Sequence, residues 1–203
     1  MRICALAAFA AASTLAAGAA SASVLYDNGP INGTINAWTV AEGFAVSDSF
    51  TLSSAATVTG VNFGVWELPG DTTSTVDWAI ATAPAAYPDT GTASVTNGPT
   101  TINGFGLAVG EDSFSITPTH LAAGTYYIVL QNASVTNGDP LFWDENDGPS
   151  TASQLGTGVI GSESFQILGA SVPEPSSWAL MMAGVFGMGA VLRRRRDAMA
   201  IAA

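Results

Sequence analysis

The chain has 203 residues, with 5 Lys and Arg, 16 Asp and Glu, and a formal net charge of −11. The five basic residues are all arginines near the two ends, so residues 23–171 contain fourteen acids and no Lys or Arg. Because binding to a phosphate backbone needs basic side chains, this composition argues against a nucleic-acid-binding function. The length is typical of one domain.

Residues 1–22 are predicted to be a secretory signal peptide. Arg2 supplies a positive start, an Ala-rich apolar run covers 3–17, and Ala20 and Ala22 form a small-residue cleavage site. We expect the Sec translocon to export the chain and signal peptidase to cut after Ala22, or else after Ser23. The only cysteine, Cys4, would leave with this peptide, so the mature chain would contain neither thiol nor disulfide.

Residues 23–171 are predicted to form one antiparallel β domain, because apolar and polar residues alternate there with a period of two. The apolar stripes are Phe44, Val46, Phe50 and Leu52, interrupted by Asp48; Val61, Phe63 and Val65; Val76, Trp78 and Ile80; Phe105, Leu107 and Val109; Phe114 and Ile116; Tyr126, Ile128 and Leu130; Leu141 and Trp143; and Phe165 and Ile167. Turn-forming pairs such as Asn103-Gly104 separate these runs. About eight to ten short strands favour an all-β sandwich, of jelly-roll type or, as a second choice, immunoglobulin-like.

The segment 121–126 is typical of a tyrosine corner, in which a tyrosine hydroxyl binds backbone across a turn between strands. Tyr126 is therefore interpreted as structural. The single histidine, His120, precedes this turn, and neither a G-x-S-x-G elbow nor a phosphate-binding Gly-Lys loop occurs in the chain. These observations predict that the protein is not an enzyme and has no catalytic residues.

One acidic segment is a candidate calcium site. Asp139, Asp144, Glu145 and Asp147 lie close together in the chain, flanked by Gly138 and Gly148. Carboxylate oxygens on a loop suit a hard cation such as Ca²⁺, although the order of residues is not that of an EF-hand. The alternative is a solvated acidic turn, and no other cofactor is expected.

Two tryptophans are candidates for stacking on a saccharide. Trp66 and Trp143 lie near the ends of predicted strands, where an aromatic ring can be exposed. The alternative for each ring is packing in the core, which is common for tryptophan.

The C-terminal segment 172–203 has three parts. Val172-Pro173-Glu174-Pro175 comes first, an uncharged stretch covers 176–192, and Arg193, Arg194, Arg195 and Arg196 follow. The two prolines disfavour helix at the residues before them, so an extended segment is expected there. The uncharged stretch is just long enough for a short transmembrane helix, and the arginines would stay on the cytoplasmic side. The β domain would then lie outside.

This tail resembles the PEP-CTERM sorting signal of Gram-negative bacteria. The resemblance implies that exosortase, a membrane-embedded cysteine protease, cuts near Pro173, Glu174 and Pro175 after the tail has been held briefly in the inner membrane. It further implies delivery to the cell surface or to the extracellular matrix, where exopolysaccharide is a possible partner. The β-rich stretches 47–52 and 124–130 loosely resemble uncharacterised domains that accompany such tails. The alternative for the tail is an ordinary single-span anchor behind a proline-rich linker.

The sequence thus favours a non-enzymatic surface or matrix protein. A carbohydrate-binding module with the same export route is the second hypothesis. An extracellular hydrolase that uses a pair of carboxylates is the third.

Overall fold

The computed structural model describes residues 22–172, 180–189 and 193 of the chain. Residues 22–172 contain strands, turns and irregular segments but no helix. The strands described are β1 (Ser23–Asp27), β2 (Ala37–Thr39), β3 (Ala45–Leu52), β4 (Ala56–Glu67), β5 (Thr73–Ala81), β6 (Gly91–Thr96), β7 (Thr100–Ile102), β8 (Ala108–Leu121), β9 (Gly124–Val135), β10 (Phe142–Asn146), β11 (Ala152–Gln154), β12 (Gly158–Ile160), β13 (Ser162–Glu163) and β14 (Phe165–Ser171). A helix, α1, covers residues 180–189.

The strands form one curled antiparallel sheet. Its order is β1-β14-β4-β8-β6-β5-β9-β3-β11-β12, with β2, β7, β10 and β13 paired beside this path. Strand β6 joins the two halves of the sheet, because its first part pairs with β5 and its last two residues, Val95 and Thr96, pair with β8. The predicted antiparallel all-β class is confirmed, and the jelly-roll type stays a prediction.

One apolar core joins both halves of the sheet. Phe63 and Val65 of β4 enter it from one half, and Val46 of β3 and Ile128 of β9 enter it from the other. Phe63 meets Phe114 of β8 edge to face, with ring centroids 5.7 Å apart. The period-two stripes therefore identify the inward faces of the central strands, as expected for strands that bury one side.

Two aromatic residues of the predicted stripes lie outside the core. Phe44 precedes β3 and Phe105 lies in the turn between β7 and β8, and both are exposed. Both expectations were wrong, because each ring lies in or next to a turn that precedes the strand of its stripe. By contrast, Asp48 does lie inward with Val46 and Phe50, fully buried.

Candidate functional site

The two ends of the folded domain lie side by side. Ser23 of β1 is opposite Gly169 of β14, and the Ser23 hydroxyl donates to the Gly169 carbonyl over 3.1 Å. Next to them, Ser171 pairs with Ala56 at the start of β4. The first and the last residues of the β domain therefore lie at one place. We call this end of the domain the exit pole and define it as Ser23 with residues 52–56, 117–125 and 169–172.

The folded backbone continues to the last described residue before the tail. The amide of Val172 donates to the Ala55 carbonyl over 2.9 Å, in the turn between β3 and β4. Pro173 follows directly in the sequence. The Pro-Glu-Pro segment is consequently attached to the sheet without a linker.

The exit pole carries no acidic residue, although the domain around it holds fourteen acids and no Lys or Arg. Its segments are rich in Ser, Thr and Ala, and its one titratable ring is His120, whose Nδ1 lies 2.8 Å from the Thr57 hydroxyl oxygen. The negative charge of the domain is therefore concentrated away from the place where the tail begins.

The predicted tyrosine corner is confirmed and lies at this pole. The Tyr126 hydroxyl donates to the carbonyl of Ala122 over 3.2 Å, and its ring packs on Phe50 with centroids 5.8 Å apart. This bond ties the β8–β9 turn to the core, so the exit pole is built on a fixed turn.

The tail is described only in part. Residues 180–189 form α1, and every residue of this helix is exposed, including Leu180, Phe186 and Met188. No helix among the described residues is both long and apolar enough to cross a membrane. The predicted span 176–192 extends beyond α1 at both ends, into positions outside the described residues, so it stays a prediction.

Most of the predicted processing residues also lie outside the described part. These are Ala20, Pro173, Glu174, Pro175, Arg194, Arg195 and Arg196. Ala22 is described and immediately precedes β1, which places the expected signal-peptide cut at the first strand. Arg193 is described and exposed.

The two tryptophans predicted to stack on a saccharide are buried. Trp143 is 0% exposed and its Nε1 donates to the Ser164 carbonyl over 2.8 Å. Trp66 is 5% exposed, and its Nε1 donates to Asp144 over 2.5 Å. The stacking role fits neither ring, because both belong to the core. The exposed aromatic here is Phe105, which stacks on Trp66 at 5.6 Å.

The four acids of the predicted calcium segment have different surroundings. Asp144 is fully buried and accepts hydrogen bonds from the Asn32 and Gly33 amides and from Trp66. Glu145, next along β10, accepts from Trp38 Nε1 instead, while Asp147 is exposed and Asp139 is half-buried. Within the described residues, no group of three or more His, Cys, Asp or Glu has metal-binding geometry. The structure therefore does not assemble these four acids into one cation site.

Sequence reasoning missed a group of buried acids. Asp48 lies in the core, and its carboxylate accepts from the Ser150 hydroxyl and from the Ser49 and Glu163 amides. Burial raises the pKa of Asp48 to about 7 despite these bonds. Burial also raises the pKa of Glu163 well above its usual value, assisted by the charges of Asp48, Glu145 and Asp144. The regular alternation around Asp48 was the one available signal that its side chain faces inward.

A second acid group lies at the opposite end of β4 from the exit pole. Glu67 ends β4 there and, like Asp71, Thr73 and Asp112, is buried. Asp112 lies opposite Phe63 of β4, and its charge and that of Asp71 act on Glu67. We call these four residues the distal acid cluster. Desolvation raises the pKa of Glu67 to about 7, with smaller increases from the Asp112 and Asp71 charges and a small opposing effect of the nearby Thr73 hydroxyl. Desolvation also raises the pKa of Asp112 to about 6, against a hydrogen bond from the Gly98 amide.

Comparison with known protein families identifies the tail. The PEP-CTERM protein-sorting motif matches residues 171–196, from the last residue of β14 to the end of the arginine cluster. No curated protein matches the chain. The predicted resemblance is thus confirmed for the tail, and the motif implies an exported protein that exosortase processes in membrane-associated sorting to the cell surface.

Proposed function

We propose that this chain is a non-enzymatic surface or matrix protein that exosortase releases from the inner membrane of a Gram-negative bacterium. The observation that carries the proposal is the sorting motif at residues 171–196, which begins where the β domain ends. The tail is held in the membrane by its short apolar stretch and by the arginines behind it. Exosortase then cuts near Pro173-Glu174-Pro175, and the β domain is the delivered product.

The exit pole supports this order of events. Between Val172, the last residue bonded to the domain, and Ser176, where the predicted span begins, an extended chain reaches at most roughly 14 Å. The pole therefore faces the membrane while the tail is inserted. Since the pole carries no acids, the strongly negative remainder of the domain stays away from the membrane surface.

The arginine cluster provides the test. Changing Arg193–Arg196 to Ala removes the charges that stop translocation, so accumulation of correctly cut protein should fall severalfold. Changing the same residues to Lys keeps the charges and is the matched control. Immunoblots of membrane and surface fractions measure both variants. Unchanged maturation and delivery of the Ala variant would contradict the proposal.

Carbohydrate binding is the second candidate, and Phe105 favours it. Its ring is 65% exposed and is supported from behind by Trp66, an arrangement that suits stacking on a sugar face. A glycan array with wild type and Phe105→Ala tests this function, with Phe44→Ala as a control at another exposed aromatic. A signal that Phe105→Ala abolishes and Phe44→Ala preserves supports binding. Equal signals from all three proteins refute a role for this ring.

A further inference from the structure

The distal acid cluster brings together side chains from three strands and one turn. Glu67 ends β4, Asp71 closes the following turn, Thr73 begins β5 and Asp112 belongs to β8. The turn is fixed by a bond of 3.0 Å from the Asp71 amide to the Leu68 carbonyl. Since β5 and β8 belong to different halves of the curled sheet, the cluster lies where the two halves meet at this end.

Each member of the cluster keeps one buried oxygen without a hydrogen-bond partner among the described residues. These atoms are Glu67 Oε2, Asp71 Oδ2, Thr73 Oγ1 and Asp112 Oδ2. All four side chains are more than nine-tenths buried, with Asp71 the most exposed at 7%. Four such atoms in one place are unusual, because buried polar atoms nearly always have partners.

The second carboxylate oxygen of each aspartate in the cluster is held by the protein. Asp112 Oδ1 accepts from the Gly98 amide over 3.0 Å, and Asp71 Oδ1 accepts from the Asn137 side chain. The neighbouring Asn97 binds the Thr73 backbone through both its amide oxygen and its amide nitrogen. These contacts fix one oxygen of each of the two aspartates and leave the other free.

The loop that makes these contacts can approach closely only because it contains Gly98. A Cβ at this position would lie 2.1 Å from the Glu111 carbonyl oxygen, in the residue before Asp112. A larger residue would therefore push the loop away from β8. The absence of a side chain keeps the loop against the cluster.

No basic side chain is available to neutralise these acids. Residues 23–171 contain no Lys or Arg, and His120 lies at the exit pole, at the other end of β8. The charges of Asp112 and Asp71 both raise the pKa of Glu67, so both aspartates lie close enough to act on its carboxyl group. Buried, mutually repelling carboxylates require either bound protons or a bound cation.

We propose that the distal acid cluster is a divalent-cation site that takes Ca²⁺. Glu67 and Asp112 supply carboxylate oxygens, Thr73 supplies its hydroxyl oxygen, and Asp71 adds negative charge beside them. The proposed ligands include only two acids. They therefore do not conflict with the finding that no three His, Cys, Asp or Glu among the described residues form a metal-binding group. Ca²⁺ accepts such mixed oxygen ligands and completes its shell with water and carbonyl groups, whereas Mg²⁺ demands stricter geometry.

This site differs from the acidic segment 139–147 that the sequence suggested. It uses residues far apart in the chain, which only the folded sheet brings together. A bound ion would tie β4, β5 and β8 together at the end where the halves of the sheet meet. The ion would thus stabilise the domain that is delivered, independently of how the tail is processed.

Calorimetric titration of the purified full chain in detergent, after removal of metals with a chelator, tests the site with CaCl₂ as the probe. We expect one Ca²⁺ per chain, with a dissociation constant of about 10⁻³ M or tighter, as in extracellular modules. Glu67→Gln and Asp112→Asn should each weaken binding at least about tenfold by removing a charged ligand. The double variant Asp139→Asn/Asp147→Asn should bind like wild type.

Thermal unfolding of the same proteins is the second measurement. Ca²⁺ should raise the midpoint of the wild type and of the double variant equally, and that of Glu67→Gln much less, because this variant binds the ion more weakly. Glu67→Gln removes a buried repelling charge, so we expect the variant to fold. Its near-ultraviolet circular dichroism spectrum should therefore match that of the wild type. Absence of Ca²⁺ uptake by the wild type, binding by Glu67→Gln as tight as that of the wild type, or binding lost in the double variant would each overturn the proposal. An equal midpoint shift by Mg²⁺ or by matched NaCl would overturn it too, because the effect would then be general screening.

Discussion

At the scale of single residues, the buried carboxylic acids are the most unusual feature of this protein. Among the described residues, six acids are buried, namely Asp48, Glu67, Asp71, Asp112, Asp144 and Glu163. Asp144 is satisfied by three N–H donors, whereas Glu163 has neither carboxylate oxygen bonded among the described residues. A buried acid is thus either a well-bonded structural acceptor or a group that needs a proton or a cation.

The raised pKa values predict how stability depends on pH. Burial raises the pKa of Asp48 from 3.8 to about 7, that of Glu67 from 4.5 to about 7 and that of Asp112 from 3.8 to about 6. At pH values between the ordinary pKa of each acid and its raised pKa, the native state holds a proton that the unfolded state has lost. The free energy of unfolding should therefore fall as pH rises from about 4 to about 7.

Urea unfolding at several pH values, in the presence of a chelator, measures this dependence. Glu67→Gln should make the decline shallower, because one of the three groups no longer titrates, and exposed Asp89→Asn should leave it unchanged. A free energy of unfolding that rises steadily across this window would show that the buried acids are ionised and favourably paired.

At the scale of the elements, β14 connects the fold to the sorting tail. It pairs with β1 on one side and β4 on the other, and its register shifts between Leu168 and Gly169. A Cβ at Gly169 would lie 2.0 Å from the Thr57 carbonyl oxygen, so only glycine fits at this irregularity. The last residues of β14 therefore owe their pairing to a close backbone approach.

Gly169→Ala should weaken this end of the sheet. The added methyl group forces β14 away from β4, so we expect a loss of about 1–3 kcal/mol in the free energy of unfolding. Gly104→Ala is the control, since a Cβ there meets nothing within 4 Å. Chemical denaturation of both variants measures the difference, and equal stability of the two would refute the tight contact at Gly169.

Alternation of apolar residues predicted the central strands well, because burial of one face imposes a period of two on the sequence. Val61, Phe63 and Val65 in β4 and Ile128 and Leu130 in β9 are all fully buried. The same rule could not recognise Glu67 or Asp112 as inward-facing, because a polar residue in a stripe normally marks its end. Nor could it bring these residues near Thr73, since that contact depends on which strands become neighbours.

At the scale of the whole molecule, the two ends of the β domain differ in acidic residues and in their connection to the tail. Both ends of the β domain and the acid-free exit pole lie at one end, and the distal acid cluster lies towards the other. This polarity suits a domain that is first tethered to a membrane and later released. The sorting motif of the tail was predictable from sequence because it acts through local composition, whereas the exit pole required the fold.

Intact mass spectrometry of the mature protein, from cells with and without exosortase, tests this account most directly. With the protease, the mass should correspond to a chain that begins near Ser23 and ends near Pro173-Glu174-Pro175. Without the protease, the mass should include the whole tail to Ala203. A tail that is retained in both cells, or removed in both, would contradict sorting by exosortase.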